Sequence, residues 1–341
     1  AGVVGAASLA LGRVATIRRS ETLRVARGLP AVDFPLGDPG PENEFAIAGL
    51  TDLVQHEPLF YRIDTALIVP VVDVDSWSLR VHGMVEREVV LTMDDLEAME
   101  QHERYVTLAC VSNPVGEDLV GNAKWQGVRL TEVLDLAGLL DGADQIVGRS
   151  VDGFTVGFPT AVAYDGRDPL IAIGMNEVPL PRKHGYPARL IVPGLYGYVS
   201  ATKWLSEIEL TTWDGFDAYW VPRGWAKEAP IKTQSRIDLP NPLAPVAAGT
   251  VVAAGVAWAP NVGISRVELQ LDDGPWVEAE VAVPLSGDAW VQWRAEVDVA
   301  AGIHRLQVRA TDGSGETQTP DVTDARPDGA TGWHGIRLEA R

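Results

Sequence analysis

Residues 105–140, YVTLACVSNPVGEDLVGNAKWQGVRLTEVLDLAGLL, set the architecture of the first part of the chain. The apolar run 105–109 predicts a buried strand that ends at Cys110, where the chain enters a loop punctuated by Gly and Pro, NPVGEDLVGN at 113–122. Apolar residues then recur at helical spacing over 130–140, which predicts a helix that ends toward Gly142. Open α/β folds display reactive groups where a strand runs into a loop, so Cys110 occupies a position suited to chemistry.

Short β-rich runs and helical segments alternate over residues 60–212. Thr92, with Asp95 three residues later, forms an approximate capping box that predicts a second helix. Further strands are predicted at 77–81, 89–91, 188–192 and 204–211. This part of the chain is therefore predicted to be a mixed α/β domain.

A proline-rich break at 238–246, DLPNPLAPV, precedes a change in the sequence pattern. Beyond it, turn signals such as Asp272-Asp273-Gly274 separate short β-rich runs with no helical pattern between them. The runs are 251–258, 264–271, 276–281, 290–297 and 304–310. This spacing is typical of an all-β immunoglobulin-like sandwich, so the whole chain is predicted to be of the α+β class. The predicted division is an N-terminal arm and linker at 1–45, a first domain at 46–240 and the sandwich at 241–341.

Composition excludes several classes of protein. The chain has 341 residues and a net charge of −19, from 28 Lys and Arg against 47 Asp and Glu. With 46% hydrophobic residues it is neither a disordered chain nor a multi-span membrane protein. The negative field repels phosphate backbones, so we expect no nucleic-acid partner. A single cysteine excludes an intrachain disulfide and a Cys-rich zinc module.

The first 27 residues combine an apolar and a basic segment. Residues 1–12 carry no charge, but a bilayer span needs roughly 20 apolar residues. Five arginines follow, at 13, 18, 19, 24 and 27. This order suits a membrane-proximal position, with attachment through sequence that precedes residue 1, and the predicted location is membrane-associated or extracytoplasmic. A solvated arm that wraps the body is an equally good interpretation, and a cytoplasmic location stays open.

Cys110 has three interpretations from the residues alone. The chain contains no GxGxxG after a strand and no GxxxxGK[ST], HExxH or GxSxG, and its six histidines lack metal-ligand spacing. Cys110 is then a buried small hydrophobe, a nucleophile that needs a nearby His, or a ligand for a soft metal such as molybdenum, copper or iron.

A second cluster of chemistry-bearing residues lies at 183–203. KHGYPAR at 183–189 and PGLYGYVSATK at 193–203 bring His, Arg and Lys together with a glycine-rich loop. Cationic side chains and exposed backbone amides are what a phosphate or another anion needs. The alternative is a loop whose charges are simply solvated.

Two longer segments, 107–134 and 174–210, carry a resemblance to a known family. The motifs are a lone Cys after a strand, HGxPxRLIVPGxYG, and KW. With FYRIDT at 60–65 and the C-terminal β-rich part, they resemble the sulfite oxidase family of molybdopterin enzymes over about residues 56–341, and most of all its bacterial, membrane-associated branch. The resemblance implies molybdenum bound by a cysteine thiolate and by the dithiolene of one molybdopterin. It also implies that the immunoglobulin-like domain forms a homodimer.

The resemblance assigns roles residue by residue. Cys110 matches the molybdenum ligand. Ser150 or Asp152, in SVDGF, matches a pterin contact. The positions that match those holding the pterin phosphate and ring are His184, Arg189, Ala201, Thr202 and Lys203. The first pterin-binding segment contains Tyr61, Arg62, Asp64 and Thr65.

Departures from the family pattern bear on the substrate. Sulfite oxidases carry Arg-Asn-His where this chain has Asp64-Thr65-Ala66, and paired arginines where it has Pro114-Val115. Those arginines bind the sulfite dianion by bidentate hydrogen bonds. The active-site tyrosine of the family aligns with Trp225, which cannot donate a phenolic proton. We therefore expect a small substrate other than sulfite.

The sequence thus predicts a molybdopterin-dependent oxidoreductase that transfers an oxygen atom or performs another two-electron redox reaction. Trp225 and Arg223 are the candidates for the substrate wall. No haem-binding segment is visible, so we expect a separate electron-transfer partner. The alternatives are a binding or assembly protein on the same fold with an inactive cofactor site, and a thiol enzyme that uses Cys110 without metal.

Overall fold

Four α-helices, four short 3₁₀ helices and eighteen strands make up the regular structure of the described residues. The computed structural model describes the backbone of residues 2–341 and the side chains of residues 14–341. The helices are α1 Gly2–Arg27, α2 Met93–Ala98, α3 Leu130–Ala137 and α4 Gly197–Ser200. The structure is mostly β-sheet with few helices, so the expected α+β class is not confirmed.

The strands of the first part are β1 Ser78–Gly83, β2 Val89–Thr92, β3 His102–Ala109, β4 Val120–Arg129, β5 Gln145–Ser150, β6 Thr155–Pro159, β7 Leu170–Met175, β8 Val178–Pro179, β9 Arg189–Ile191 and β10 Leu205–Thr211. The remaining strands are β11 Gln234–Leu239, β12 Gly249–Trp258, β13 Ile264–Leu271, β14 Trp276–Glu278, β15 Glu280–Val281, β16 Val291–Val299, β17 Gly302–Asp312 and β18 His334–Ala340.

Two five-stranded sheets form the first part of the molecule. One has the order β2-β1-β10-β5-β6, in which only β1 and β10 run parallel. The other contains β3-β4-β7-β8, with β9 paired to β7. Both sheets contribute to one large hydrophobic core, with side chains such as Val81, Trp125 and Ile173 fully buried or nearly so. Residues at the ends of strands in both sheets, such as β3 and β5, line the site described below.

The capping box predicted at the start of α2 is confirmed. Thr92 Oγ1 accepts a hydrogen bond from the Asp95 amide at 3.2 Å, and the Asp95 carboxylate accepts one from the Thr92 amide at 2.7 Å. These bonds satisfy two donors that a helix start would otherwise leave unpaired. Leu96, fully buried, fixes the helix to the core.

Strand β4 corrects the sequence interpretation. The loop expected after Cys110 was predicted to extend through Asn122, but β4 begins at Val120 and pairs with β3 along its whole length. The strand is buried on both faces and carries buried polar side chains, so it shows no alternation. Asn122, for example, donates to the Leu53 carbonyl at 2.9 Å. Since both faces are covered, the period-two pattern of a half-exposed strand is absent.

The C-terminal strands form two four-stranded antiparallel sheets that share a second hydrophobic core. Their orders are β11-β12-β16-β15 and β14-β13-β17-β18. Val267 and Trp293, from opposite sheets, are both fully buried in this core. β11 lies before the division predicted at residue 240, yet it pairs with β12. The two-domain division stays a prediction, with β11 joined to the C-terminal sheets by its hydrogen bonds.

Residues 24–45 lie against the rest of the molecule. Arg24 donates to the Pro179 carbonyl at 2.7 Å, and Arg27 pairs with Glu97. Further along, the Phe45 amide donates to the Gln292 side chain at 2.7 Å. These contacts agree with the interpretation of an arm that wraps the body, whereas the side chains of residues 1–13 lie outside the described set. Within the described residues, no helix has the length and apolar character needed to span a membrane.

Candidate cofactor and active site

A cavity is lined by residues at the ends of strands from both five-stranded sheets, such as Cys110 after β3 and Ser150 at the end of β5. Ten of the residues named from the sequence line it: Tyr61, Asp64, Thr65, Cys110, Ser150, Asp152, Arg189, Ala201, Lys203 and Trp225. Tertiary folding thus gathers residues that are spread over more than 160 positions of the chain. Their functional roles stay predictions; their proximity is a structural finding.

Cys110 is the first residue beyond β3. Its backbone amide donates to the Leu119 carbonyl at 2.9 Å, and its carbonyl accepts from the Asn113 amide at 3.0 Å. These bonds tie both ends of the following loop to the strand end, which holds the thiol at the cavity. Burial raises the pKa of the Cys110 thiol, against hydrogen bonds from Ser112 that lower it. The thiol is therefore largely protonated at neutral pH in the absence of a metal.

Backbone hydrogen bonds between two segments bring Arg189 and Lys203 to the same cavity. The Leu190 amide donates to the Thr202 carbonyl at 2.9 Å, and the Trp204 amide donates to the Gly185 carbonyl at 3.2 Å. Gly185 has φ 114°, and a Cβ there would lie 3.0 Å from the Lys203 Cα. The close approach of the two segments therefore requires glycine at this position.

Arg189 is a buried guanidinium with an incomplete set of partners. Its side chain lies over the Trp125 ring, with Cζ 5.2 Å from the ring centroid, and Nη1 donates to the His184 carbonyl at 3.3 Å. Nε is buried and has no hydrogen-bond partner among the described residues. Burial lowers the pKa of Arg189 to about 10, although Tyr61 and Asp64 raise it. A buried cation with a free donor is a site prepared for an anion.

His184 and Thr202 lie behind the cavity and are also incompletely paired. His184 Nδ1 and Thr202 Oγ1 are buried without a hydrogen-bond partner in the described part of the chain. Burial, reinforced by Arg189 and Lys203, lowers the pKa of His184 to about 3. His184 is therefore neutral at physiological pH and offers a neutral hydrogen-bonding group.

Lys203 and Asp64 form a buried ion pair beside Arg189. Their side chains are 9% and 8% exposed, and Nζ lies 3.1 Å from Oδ2. Burial lowers the pKa of Lys203 to about 8; Arg189 lowers it further, while Asp64 opposes the shift. Burial by itself would raise the pKa of Asp64, but Arg62 and Lys203 outweigh that effect and lower it. Arg62 is held by this carboxylate, with its Nε 2.8 Å from Oδ2.

Trp204 has an uncommon backbone conformation next to Lys203. Its φ is 50°, in the left-handed region that a bulky side chain rarely adopts. The indole nitrogen donates to the Arg182 carbonyl at 2.8 Å, and the side chain is almost fully buried. Strain of this kind persists where surrounding structure enforces it, and it concentrates at functional sites.

Aromatic side chains form one wall of the cavity. Trp225 lies 5.9 Å from Tyr198 and 6.4 Å from Trp220, measured between ring centroids. Phe154 also lines the cavity. Sequence reasoning missed Phe154, Tyr198 and Trp220, although the aromatic run YWVPRGW at 219–225 was a usable signal. The lining outside the Arg189 and Lys203 region contains no cationic side chain among the described residues.

Arg223 is not among the described residues that line the cavity. Its guanidinium carbon lies 3.8 Å from the centroid of the Tyr219 ring, and its side chain donates to the Tyr219 carbonyl. The side chain is thus engaged by its own loop, away from the substrate wall proposed for it. Arg62, His184 and Thr202 likewise do not reach the cavity surface.

The charges and donors of the site match a group with two chemical features. The buried guanidinium and ammonium exceed the charge of Asp64, the one buried carboxylate in the lining, while the second carboxylate, Asp152, is exposed to solvent; an anion would therefore be stabilised beside Arg189 and Lys203. The thiol of Cys110 is a soft ligand at the same cavity. A cofactor that joins an anionic group to a thiolate-binding metal would satisfy both.

Comparison with known families and proteins gives matches over most of the chain. Residues 66–220 match the model described as Oxidoreductase molybdopterin binding domain, a range that includes Cys110 and Lys203. The mitochondrial sulfite oxidase of Rattus norvegicus is 28% identical over 334 residues, covering 83% of this chain and 61% of that protein. The sulfite oxidase of Arabidopsis thaliana is 28% identical, covering 82% of this chain and 86% of that protein.

A bacterial relative and a solved structure extend these matches. The uncharacterized oxidoreductase YuiH of Bacillus subtilis is 30% identical over 153 residues, which cover 74% of that protein. The chain spans 61% of the length of the mammalian sulfite oxidases that it matches. The crystal structure of the sulfane dehydrogenase SoxCD from Paracoccus pantotrophus has the same fold, with a TM-score of 0.69, 22% identity and 80% coverage of each chain.

Proposed function

The chain belongs to the sulfite oxidase family of molybdopterin-binding oxidoreductases, and from this premise we propose that it catalyses a two-electron redox reaction on a small substrate other than sulfite. The reaction class that we propose is oxygen-atom transfer to or from that substrate. The cofactor of this family is molybdenum bound to molybdopterin.

One observation carries the proposal: a buried, undersatisfied cationic group lies at the same cavity as a strand-end thiol. Arg189 and Lys203 line the cavity and face a single buried carboxylate, Asp64, and the Arg189 Nε atom is unpaired among the described residues. A phosphate has enough acceptor oxygens for such donors, and its charge would complete the pairing of the cations. The residues present therefore fit the anionic part of molybdopterin.

Cys110 supplies the soft ligand. When bound, the molybdenum centre supplies two-electron oxygen-transfer chemistry, with a potential that its sulfur ligands tune. Because burial raises the pKa of the Cys110 thiol, metal binding has to displace its proton. The loop bonds at Leu119 and Asn113 hold the sulfur at the cavity, so little ordering entropy remains to be lost on binding.

The aromatic wall of Tyr198, Trp220 and Trp225 supports a substrate that is not a dianion. Pro114 and Val115 stand where the family pattern has paired arginines, and a dianion needs such forks to offset its desolvation. Aromatic faces favour apolar or positively polarised groups. These residues orient the substrate and exclude water from the cavity.

The proposal includes an assembly and a location. The C-terminal sheets would form an immunoglobulin-like homodimerisation domain, and a separate protein would exchange electrons with the cofactor. A membrane-associated position rests on the order of apolar and basic residues at the N-terminus, and the extracytoplasmic side is proposed from the resemblance alone. The resemblance to the bacterial branch of the family supports these three points.

Molybdenum content per chain, measured by mass spectrometry on protein from a host that makes the cofactor, tests the function. We expect a ratio near one and visible absorption from thiolate-to-molybdenum charge transfer, both lost in Cys110→Ser. Ser76→Ala, at an exposed serine that does not line the cavity and whose hydroxyl donates to the Asp73 carbonyl, is the control and should keep both. A ratio near zero in the wild type would favour a binding protein on the same fold, and absorption unchanged in Cys110→Ser would remove Cys110 as the ligand.

A further inference from the structure

The connection between β17 and β18 forms a small closed loop on the C-terminal sheets. Thr323 and Thr331 face each other, with their hydroxyl oxygens 2.8 Å apart, and the Gly329 amide donates to the Ala325 carbonyl at 2.6 Å. We call residues 325–329 the brace. Because these bonds close the loop on itself, the brace has a defined shape.

The brace holds the backbone on both sides of Trp225. Arg326 Nη2 donates to the Arg223 carbonyl at 2.5 Å, and its Nε donates to the Gly224 carbonyl at 3.2 Å. On the other side, the Ala226 amide donates to the Pro327 carbonyl at 3.0 Å. Three hydrogen bonds from a segment about 100 residues away thus flank the tryptophan of the cavity wall.

The fit between Arg326 and Gly224 is close. Gly224 has φ 88°, and a Cβ at this position would lie 2.1 Å from Arg326 Nη2. Only glycine leaves room for the guanidinium against the main chain and adopts this backbone conformation without strain. The contact therefore depends on the residue types on both sides.

The brace also contacts Tyr196, which lies two residues before Tyr198 of the aromatic wall. Gly329 packs on the Tyr196 ring so closely that a Cβ there would lie 2.5 Å from the phenolic oxygen. Tyr196 directly precedes α4, which carries Tyr198, and the Tyr198 hydroxyl donates to the Ala226 carbonyl at 2.6 Å. Lys232 also holds the brace in place, because its Nζ donates to the Gly329 carbonyl at 2.7 Å.

We propose that the brace is a positioning element through which the C-terminal sheets set the place of Trp225, and that Arg326 is its principal positioning residue. That the aromatic wall contacts the substrate rests on the proposed function. The C-terminal part then shapes substrate specificity in addition to any role in dimerisation. Substitutions in the brace change the wall while leaving Cys110 and the anion-binding residues untouched.

The experiment compares Arg326→Ala and Arg326→Lys with Arg305→Ala. Arg305 is an exposed arginine of the same sheets that pairs with Asp273, so it is a matched control. Each protein is purified with its cofactor and labelled with 5-fluorotryptophan, and Trp225→Phe assigns the Trp225 signal among the eleven tryptophans. Fluorine NMR reports the surroundings of Trp225, and hydrogen exchange of the peptide containing Ala226 reports its amide bond to Pro327.

In Arg326→Ala we expect the Trp225 resonance to shift or broaden and the Ala226 amide to exchange at least about fivefold faster, because its local opening costs less. Arg326→Lys, with a single donor group, should restore part of both changes. If Arg326→Ala matches Arg305→Ala in both readouts, the brace does not position Trp225.

Molybdenum content is measured on the same preparations and separates this inference from the proposed function. We expect Arg326→Ala to hold as much molybdenum per chain as the wild type. A wild type without molybdenum would overturn the proposed function, while the fluorine spectra would still decide the role of the brace. A variant that loses molybdenum together with its Trp225 signal would show a general structural role and overturn the specific one.

Discussion

Lys203 Nζ lies 3.1 Å from Asp64 Oδ2, and both side chains are more than nine-tenths buried. The pair joins two segments 139 residues apart in sequence. Asp64 also pairs with Arg62, while Arg189 lies close enough to lower the pKa of Lys203. A single carboxylate therefore partly neutralises three cations, and the remaining positive charge is available to an anionic cofactor.

Asp64→Asn should destabilise the cofactor-free protein and strengthen its binding of anions. Breaking a buried ion pair on one side leaves an uncompensated charge, which costs about 3 kcal/mol. The measurement is the thermal midpoint without and with inorganic phosphate. We expect a lower midpoint and a larger rise on adding phosphate. Asp165→Asn, which removes a partly exposed partner of Arg167, is the control; a phosphate response equal to that of the wild type would contradict the prediction.

Lys203 should make the stability of the cofactor-free protein rise with pH. Its folded pKa is about 8, below the ordinary value of 10.5, so the unfolded chain binds more protons between these two values. As the pH rises from 8 to 10.5, the free energy of unfolding of the wild type should therefore increase by up to ~3 kcal/mol relative to that of Lys203→Met. Urea unfolding at several pH values measures the difference. Lys183→Met, at an exposed lysine, should follow the wild type; a wild type that loses stability relative to Lys203→Met as pH rises would refute the assignment.

Arg189→Lys should weaken cofactor retention. A lysine keeps the charge but removes the planar fork and the unpaired Nε that we expect to meet the phosphate. The loss of a charged hydrogen bond predicts roughly a tenfold to hundredfold weaker affinity. Molybdenum per chain after extended dialysis measures it. Arg149→Lys, at a partly buried arginine paired with Glu209, is the control. Equal retention in both variants would argue against a cofactor contact at Arg189.

Gly255→Ala should destabilise the C-terminal sheets without touching the site. A Cβ at Gly255 would lie 1.8 Å from the Arg236 carbonyl oxygen and 2.9 Å from Trp293, so strand β12 has to shift. We expect the free energy of unfolding to fall by about 3 kcal/mol, as is typical when a core is overpacked. Gly287→Ala, with no atom within 4 Å of the added Cβ, should change stability by less than about 0.5 kcal/mol. Thermal unfolding measures both, and equal midpoints for the two variants would contradict this account.

Local patterns in the sequence predicted a useful share of the fold. The capping box of Thr92 and Asp95 and the strand that ends at Cys110 were read from a few neighbouring residues, because capping and burial leave marks on adjacent positions. Strand β4 was missed, because it is buried on both faces and its polar side chains find partners elsewhere in the fold. β18 was also missed, since a long irregular connection separates it from β17.

The candidate site also has features that the sequence predicts and features that only the tertiary structure shows. The lone thiol at a strand end and the cluster of cations with glycines at 183–203 are visible in the chain itself, since the chemistry of a residue type does not depend on the fold. The wall of Tyr198, Trp220 and Trp225 and its contact with Arg326 depend on segments far apart in sequence. The sequence by itself determined which chemical groups are present and the short-range elements that carry them. Only the tertiary structure decided which groups share a cavity and which of their donors stay unpaired, because those properties arise from long-range packing that leaves no local pattern.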